Sequence, residues 1–104
     1  MFHPATKVHF FTERLLQDQI IEILDAHNAP GYTITEGSGK GEHFNRSSDR
    51  ASVVSAFAIV RIEVIIADRD QAEQIAKEVA DKFFKQYAGI VYLTPAEVLR
   101  VDKF

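Results

Sequence analysis

Phe57-Ala58-Ile59-Val60-Arg61-Ile62-Glu63-Val64-Ile65-Ile66 is a ten-residue run with a period of two. Ala58, Val60, Ile62, Val64 and Ile66 alternate with Phe57, Ile59, Arg61, Glu63 and Ile65, the signature of a long strand with two unlike faces. One face is wholly apolar and demands a core. The other mixes Phe57, Ile59 and Ile65 with Arg61 and Glu63, which suits a protein contact with paired charges better than bare solvent. Arg61 and Glu63 are therefore expected to pair across a subunit boundary.

Working outward from that strand, Lys7 to Phe11 reads as a first, shorter β run in which His9 alternates with Val8. Thr12 and Glu13 then form an N-cap pair, predicting a helix that starts near Glu13. Leu16, Ile20, Ile23, Leu24 and His27 follow the spacing of its buried face, Asn28-Ala29-Pro30-Gly31 stops it, and His27 is placed to cap its C-terminus. Tyr32 to Glu36 reads as a second strand. Beyond the long strand, Asp68-Arg69-Asp70-Gln71 has the form of a capping box, and Ala72, Ile75, Ala76, Val79, Phe83 and Tyr87 form a second helical stripe ended by Gly89. Ile90 to Leu93 is a fourth strand, and Thr94-Pro95-Ala96-Glu97 predicts a short helical turn. The order βαββαβ predicts an α+β, ferredoxin-like domain, with both helices over one face of an antiparallel sheet. The uncovered face needs a partner, and identical subunits in a closed ring supply one economically.

The 104 residues suit a single domain, residues 1–104, and 46% hydrophobic content with eight Phe can build its core. A formal charge of −3 gives no basic excess, which argues against a protein whose main task is holding a nucleic-acid backbone. With no cysteine there is neither a disulfide framework nor a thiolate zinc site, in keeping with a cytoplasmic location. No apolar run is long enough to insert into a membrane.

Between the second and third strands lies a long polar loop, residues 37–51. Loops of this length in compact domains are usually functional. Gly37, Gly39 and Gly41 free its backbone to turn amides toward an anion, and Lys40, Arg46, Ser47 and Ser48 offer the donors that phosphate oxygens accept from. The pattern matches neither the P-loop nor the dinucleotide fingerprint, because Phe44 stands where the latter needs glycine. The competing reading is a solvated surface loop in which Glu36, Glu42 and Asp49 offset Lys40, Arg46 and Arg50. His3, His9, His27 and His43 lack metal-ligand spacing, and no nucleophile–base pair is evident.

Several strings are shared with a known family: Gly31-Tyr32-Thr33-Ile34, Gly39-Lys40-Gly41, Arg46-Ser47-Ser48, Lys82-Phe83-Phe84, Tyr87-Ala88-Gly89-Ile90-Val91-Tyr92, Ala96-Glu97-Val98-Leu99 and Lys103-Phe104. With the order of elements and the long loop, nearly the whole chain resembles the PII-like signalling proteins, in particular their carbon-regulatory branch, associated with bicarbonate transporters or carboxysomes. The resemblance implies a homotrimer that binds adenine nucleotides (AMP or ADP, with ATP or cyclic AMP as further options) in clefts between subunits. Main-chain groups near Ala88, Gly89 and Ile90 would read adenine, Lys40, Gly41, Arg46 and Ser47 would meet phosphate, Thr33 and Gly37 would line the cleft, and Arg100 or Lys103 would add charge. It further implies bicarbonate as a second ligand, no tightly bound cofactor, and a bicarbonate transporter or carboxysome-associated protein as partner.

The departures are as telling. The loop has no tyrosine for uridylylation, and without cysteine there is no redox clasp of the kind some relatives carry. The expected function is regulatory rather than enzymatic. A slow phosphohydrolase using Lys40 and Arg46, and an RNA-binding module on the uncovered sheet, are the alternatives; the latter would want exposed aromatics and basic residues on the central strands.

Overall fold

The computed structural model describes residues 1–38 and 58–99. In them the chain forms β1 (His3–Glu13), a 3₁₀ turn (Arg14–Leu16), α1 (Gln17–Ala26), β2 (Thr33–Gly37), β3 (Ile59–Ile66), α2 (Arg69–Phe83) and β4 (Gly89–Val98). The strands make one antiparallel sheet in the order β2-β3-β1-β4, the ferredoxin-like arrangement expected from the βαββαβ pattern. β2 and β4 are its edges.

From Ile59 to Ile66 the alternation in β3 is realised residue by residue. Ala58, expected on the core face, lies before the strand and is exposed, and Phe57 lies outside the described residues. Val60, Ile62, Val64 and Ile66 are buried with Val8 and Phe10 of β1, against Ile20, Ile23 and Leu24 of α1 and Ala72, Ile75 and Val79 of α2. Ile59, Arg61, Glu63 and Ile65 are half-buried on the opposite, helix-free face. A period-two strand and a 3.6-period helix meet along one apolar stripe each, so these side chains form a single core.

The ends of the helices explain much of the connectivity. Asn28 adopts φ 58°, and the N–H groups of Asn28 and Ala29 donate to the carbonyls of Asp25 and Leu24 at 3.0 Å each, a Schellman closure of α1. Asp68 caps α2 by accepting from the Asp70 N–H. Gln71 does not complete the expected capping box: its amide donates to the His27 carbonyl at 2.6 Å, tying the start of α2 to the end of α1. The His27 ring likewise turns to Glu78 Oε1, 2.8 Å away on α2.

Three sequence expectations give way to tertiary structure. β1 extends through Glu13, so Thr12 is a buried strand residue rather than an N-cap, and α1 begins only at Gln17 after a 3₁₀ turn holding buried Leu16. Thr94-Pro95-Ala96-Glu97 is not a helical turn but part of β4, paired with Lys7, Thr6, Ala5 and Pro4. Proline is acceptable there because β4 is an edge strand, with no second neighbour to receive an N–H. Gly89 does not end α2, which stops at Phe83 with Tyr87 exposed beyond it; Gly89 instead opens β4.

Candidate functional site

Register places several of the sequence-singled residues in rows across the helix-free face. Gly37 faces Ile59, which faces Glu13; Thr35 faces Arg61, which faces Phe11 and then Ile90; Thr33 faces Glu63, which faces His9 and then Tyr92. Gly37 and Gly89 thus lie at the same end of the sheet, Gly37 on the β2 edge and Gly89 on the β4 edge. Three strand spacings separate them, about 14 Å. Thr33 and Gly37 are not brought together with Ala88, Gly89 and Ile90 within one chain. Gly39, Lys40, Gly41, Arg46, Ser47, Ser48, Arg100 and Lys103 lie outside the described residues.

At the β4 edge, the Ala88 peptide is held from both sides. Its N–H donates to Glu13 Oε2 at 2.7 Å, and its carbonyl accepts from the Thr12 hydroxyl at 2.9 Å in a buried contact. Both main-chain groups are thereby engaged inside the chain, immediately before Gly89 and Ile90 at the start of β4. Thr12 and Glu13 were missed as site-supporting residues because their side chains resemble a helix start in sequence. Gly89 itself is required by close approach, since a Cβ there would lie within 2.7 Å of the Phe84 ring. Gly37 differs, as a Cβ added there meets nothing within 4 Å.

The middle of the helix-free face carries a charged and aromatic cluster. Glu63 is approached by Lys7 Nζ at 3.3 Å, His9 Nδ1 at 3.5 Å and Arg61 Nε at 3.5 Å. The Arg61–Glu63 pair expected across a subunit boundary therefore closes within the chain, because side chains two residues apart on a strand share a face. His9 is stacked on Tyr92, with centroids 4.3 Å apart and planes 5° from parallel, and its Nε2 lies 2.9 Å from Thr94 Oγ1. Phe11 extends the stack, 6.4 Å from Tyr92, and Arg61 sits 5.4 Å from its centroid. His9 with Phe11, and Ile90 with Tyr92, are each two residues apart on a strand and so share a face, the signal by which the sequence could have revealed this stack.

Burial of His9, reinforced by the nearby Lys7 ammonium and opposed by Glu63, pushes its imidazole below the ordinary value of 6.5. The neutral ring is the favoured folded form, so the unfolded chain takes up the proton first. Stability is therefore insensitive to this group above pH 6.5 and falls as the pH drops from there through the lower folded pKa. Denaturant melts between about pH 7.5 and pH 5.5 should show a smaller loss for His9→Gln than for the parent chain; equal losses would remove His9 as the source.

Among the described residues no group of three or more His, Cys, Asp or Glu is arranged to hold a metal ion, and no helix is long and apolar enough to cross a membrane. The arrangement is a ferredoxin-like sheet with the candidate positions Thr33 and Gly37 on one edge and Gly89 and Ile90 on the other. Residues 5–103 match the family described as nitrogen regulatory protein P-II, and the chain belongs to that family.

Solved structures carry the same fold. A protein of Thermus thermophilus described as PII-like and signalling is 26% identical, with a TM-score of 0.73 over 93% of this chain and 90% of its own. CPII, a PII-like protein from Thiomonas intermedia K12, was solved with ADP, AMP and bicarbonate bound; it is 22% identical, with a TM-score of 0.75 over 100% of both chains. The same protein with ADP and bicarbonate is similar to this chain with a TM-score of 0.78, at 22% identity over 96% of this chain and 93% of that one.

Proposed function

We propose that this chain is a PII-like signal-transduction protein that assembles as a homotrimer and binds adenine nucleotides in the clefts between subunits. AMP and ADP are the leading ligands, with ATP and cyclic AMP as further options and bicarbonate as a second, anionic ligand. Its output is regulation of inorganic-carbon uptake or fixation through a bicarbonate transporter or a carboxysome-associated protein. It acts as a regulator and not as an enzyme.

The observation that carries this reading is the split of the candidate positions: Thr33 and Gly37 on one sheet edge, Gly89 and Ile90 on the other. A ring of copies, each setting its β4 edge beside the β2 edge of the next, joins what one chain keeps apart. The helix-free face supports the same assembly, since Ile90 and Tyr92 are 57% and 40% exposed beside half-buried Phe11, Ile59 and Ile65. Nucleotide and bicarbonate in CPII of Thiomonas support the ligand class. A ligand bound at the junction of two edges alters the function of a partner-docking segment only through its difference in affinity between that segment's states.

The RNA-binding alternative draws less support. One face of each ring a nucleobase would stack on is engaged within the chain, Tyr92 by His9 and Phe11 by Arg61.

Calorimetric titration with AMP, ADP, ATP and cyclic AMP, each with and without bicarbonate, tests the proposal alongside the mass in solution. A trimer with micromolar nucleotide affinity, roughly 8 kcal/mol, that bicarbonate alters is the expected result. A monomer that binds none of them would overturn it.

A further inference from the structure

Arg14 follows Glu13, whose register partner Ile59 faces Gly37, so it stands at the end of the sheet where the candidate ligand positions gather. Its two halves do different things. The backbone N–H donates to the Ala58 carbonyl at 2.7 Å, just before β3, while one guanidinium nitrogen lies 2.9 Å from Glu36 Oε2, one residue before the end of β2. Arg14 thereby holds both roots of the segment that joins these strands.

The two bonds are unequal in permanence. The Arg14 and Glu36 side chains are 57% and 41% exposed, and an ion pair so open to water is worth little. Carboxylate and phosphate both present a fork of oxygens to the planar guanidinium, but a phosphate or diphosphate carries more charge than the single Glu36 carboxylate. The neighbouring Glu13 carboxylate is turned away to the Ala88 N–H. Resting on the nucleotide reading above, we infer that Arg14 is an exchangeable phosphate-binding residue of that site, held in waiting by Glu36, which the ligand's phosphate displaces.

The exchange moves the guanidinium off the β2 root and leaves the main-chain bond to Ala58 in place, so binding is reported at that root without disturbing the core. Glu36 is then a competitor of the ligand. Breaking one salt bridge from its two ends should have opposite consequences: Arg14→Gln removes the cation, and Glu36→Gln frees it.

Calorimetric titration of the parent chain, Arg14→Gln and Glu36→Gln with ADP, adenosine and inorganic pyrophosphate tests this. ADP should bind about tenfold more weakly to Arg14→Gln and about two- to fivefold more tightly to Glu36→Gln, with adenosine unchanged in both. Shifts of the same sign in both variants, or none in either while the parent binds ADP, would overturn the inference and leave the nucleotide reading standing. Failure of the parent to bind ADP, with pyrophosphate still bound and shifted oppositely by the two variants, would remove the nucleotide reading and keep Arg14 as an anion site; no binding of either ligand removes both.

Discussion

Gly89→Ala is expected to cost about 1–3 kcal/mol of folding stability, although it adds only a methyl group to a strand. The backbone at Gly89 is not in the left-handed region, so alanine could adopt it without strain. The obstacle is the Phe84 ring, whose Cζ and Cδ1 would stand 2.6 and 2.7 Å from the new Cβ, with Cε1 nearer still. Those atoms belong to a rigid ring packed on the core margin, so either the ring leaves its place or the start of β4 lifts from β1. For a domain of this size the loss corresponds to a melting temperature lower by roughly 4–20 °C. The cause can be isolated by repeating the substitution in the Phe84→Ala background. Without the ring the same change should be neutral or stabilising by a few tenths of a kcal/mol, because alanine restricts the unfolded chain more than glycine does. An unchanged cost in that background would rule out the ring as the reason for Gly89.

Thr12→Val should cost a similar amount, about 1–3 kcal/mol, while nearly conserving volume. Thr12 is fully buried, and its hydroxyl donates to the Ala88 carbonyl at 2.9 Å. Valine fills the space and withholds the donor, leaving that carbonyl without the hydroxyl in a place it cannot exchange for water. Thr12→Ser keeps the donor and gives up a methyl group, so comparing the two separates hydrogen bonding from packing. Chemical denaturation at matched protein concentration is the measurement, since association would add its own mass-action contribution. If the valine variant proves as stable as the parent and the serine variant less so, the site is held by packing and the clamp on Ala88 is incidental. Ala88 precedes the β4 positions proposed above to read adenine, so on that proposal loss of the clamp also loosens nucleotide binding.

What was legible in the chain follows from local periodicity. The alternation from Ile59 to Ile66 identified the buried and helix-free faces of β3, and the stripe from Ala72 to Phe83 identified the inner face of α2. Asn28 and Asp68 marked helix ends through chemistry that needs only near neighbours: tolerance of positive φ and a carboxylate within reach of an N–H. Where local signals failed, a long-range partner outweighed them. Thr12 and Glu13 look like a helix start, and Thr94 to Glu97 looks like a helical turn. Pairing of an eleven-residue β1 with β3 on one side and β4 on the other satisfies more backbone groups than one turn of helix could.

The candidate site divides along the same line. The residue types suited to an anion are written in the sequence, because composition and order are local properties. That Thr33 and Gly37 lie on the opposite edge from Gly89 and Ile90, that the Ala88 peptide is already engaged by Thr12 and Glu13, and that Arg14 meets Glu36 were decided by the tertiary structure alone. Strand order and register bring together residues dozens of positions apart, and they are set by how the whole sheet buries its apolar face against two helices, a property no single stretch of sequence contains.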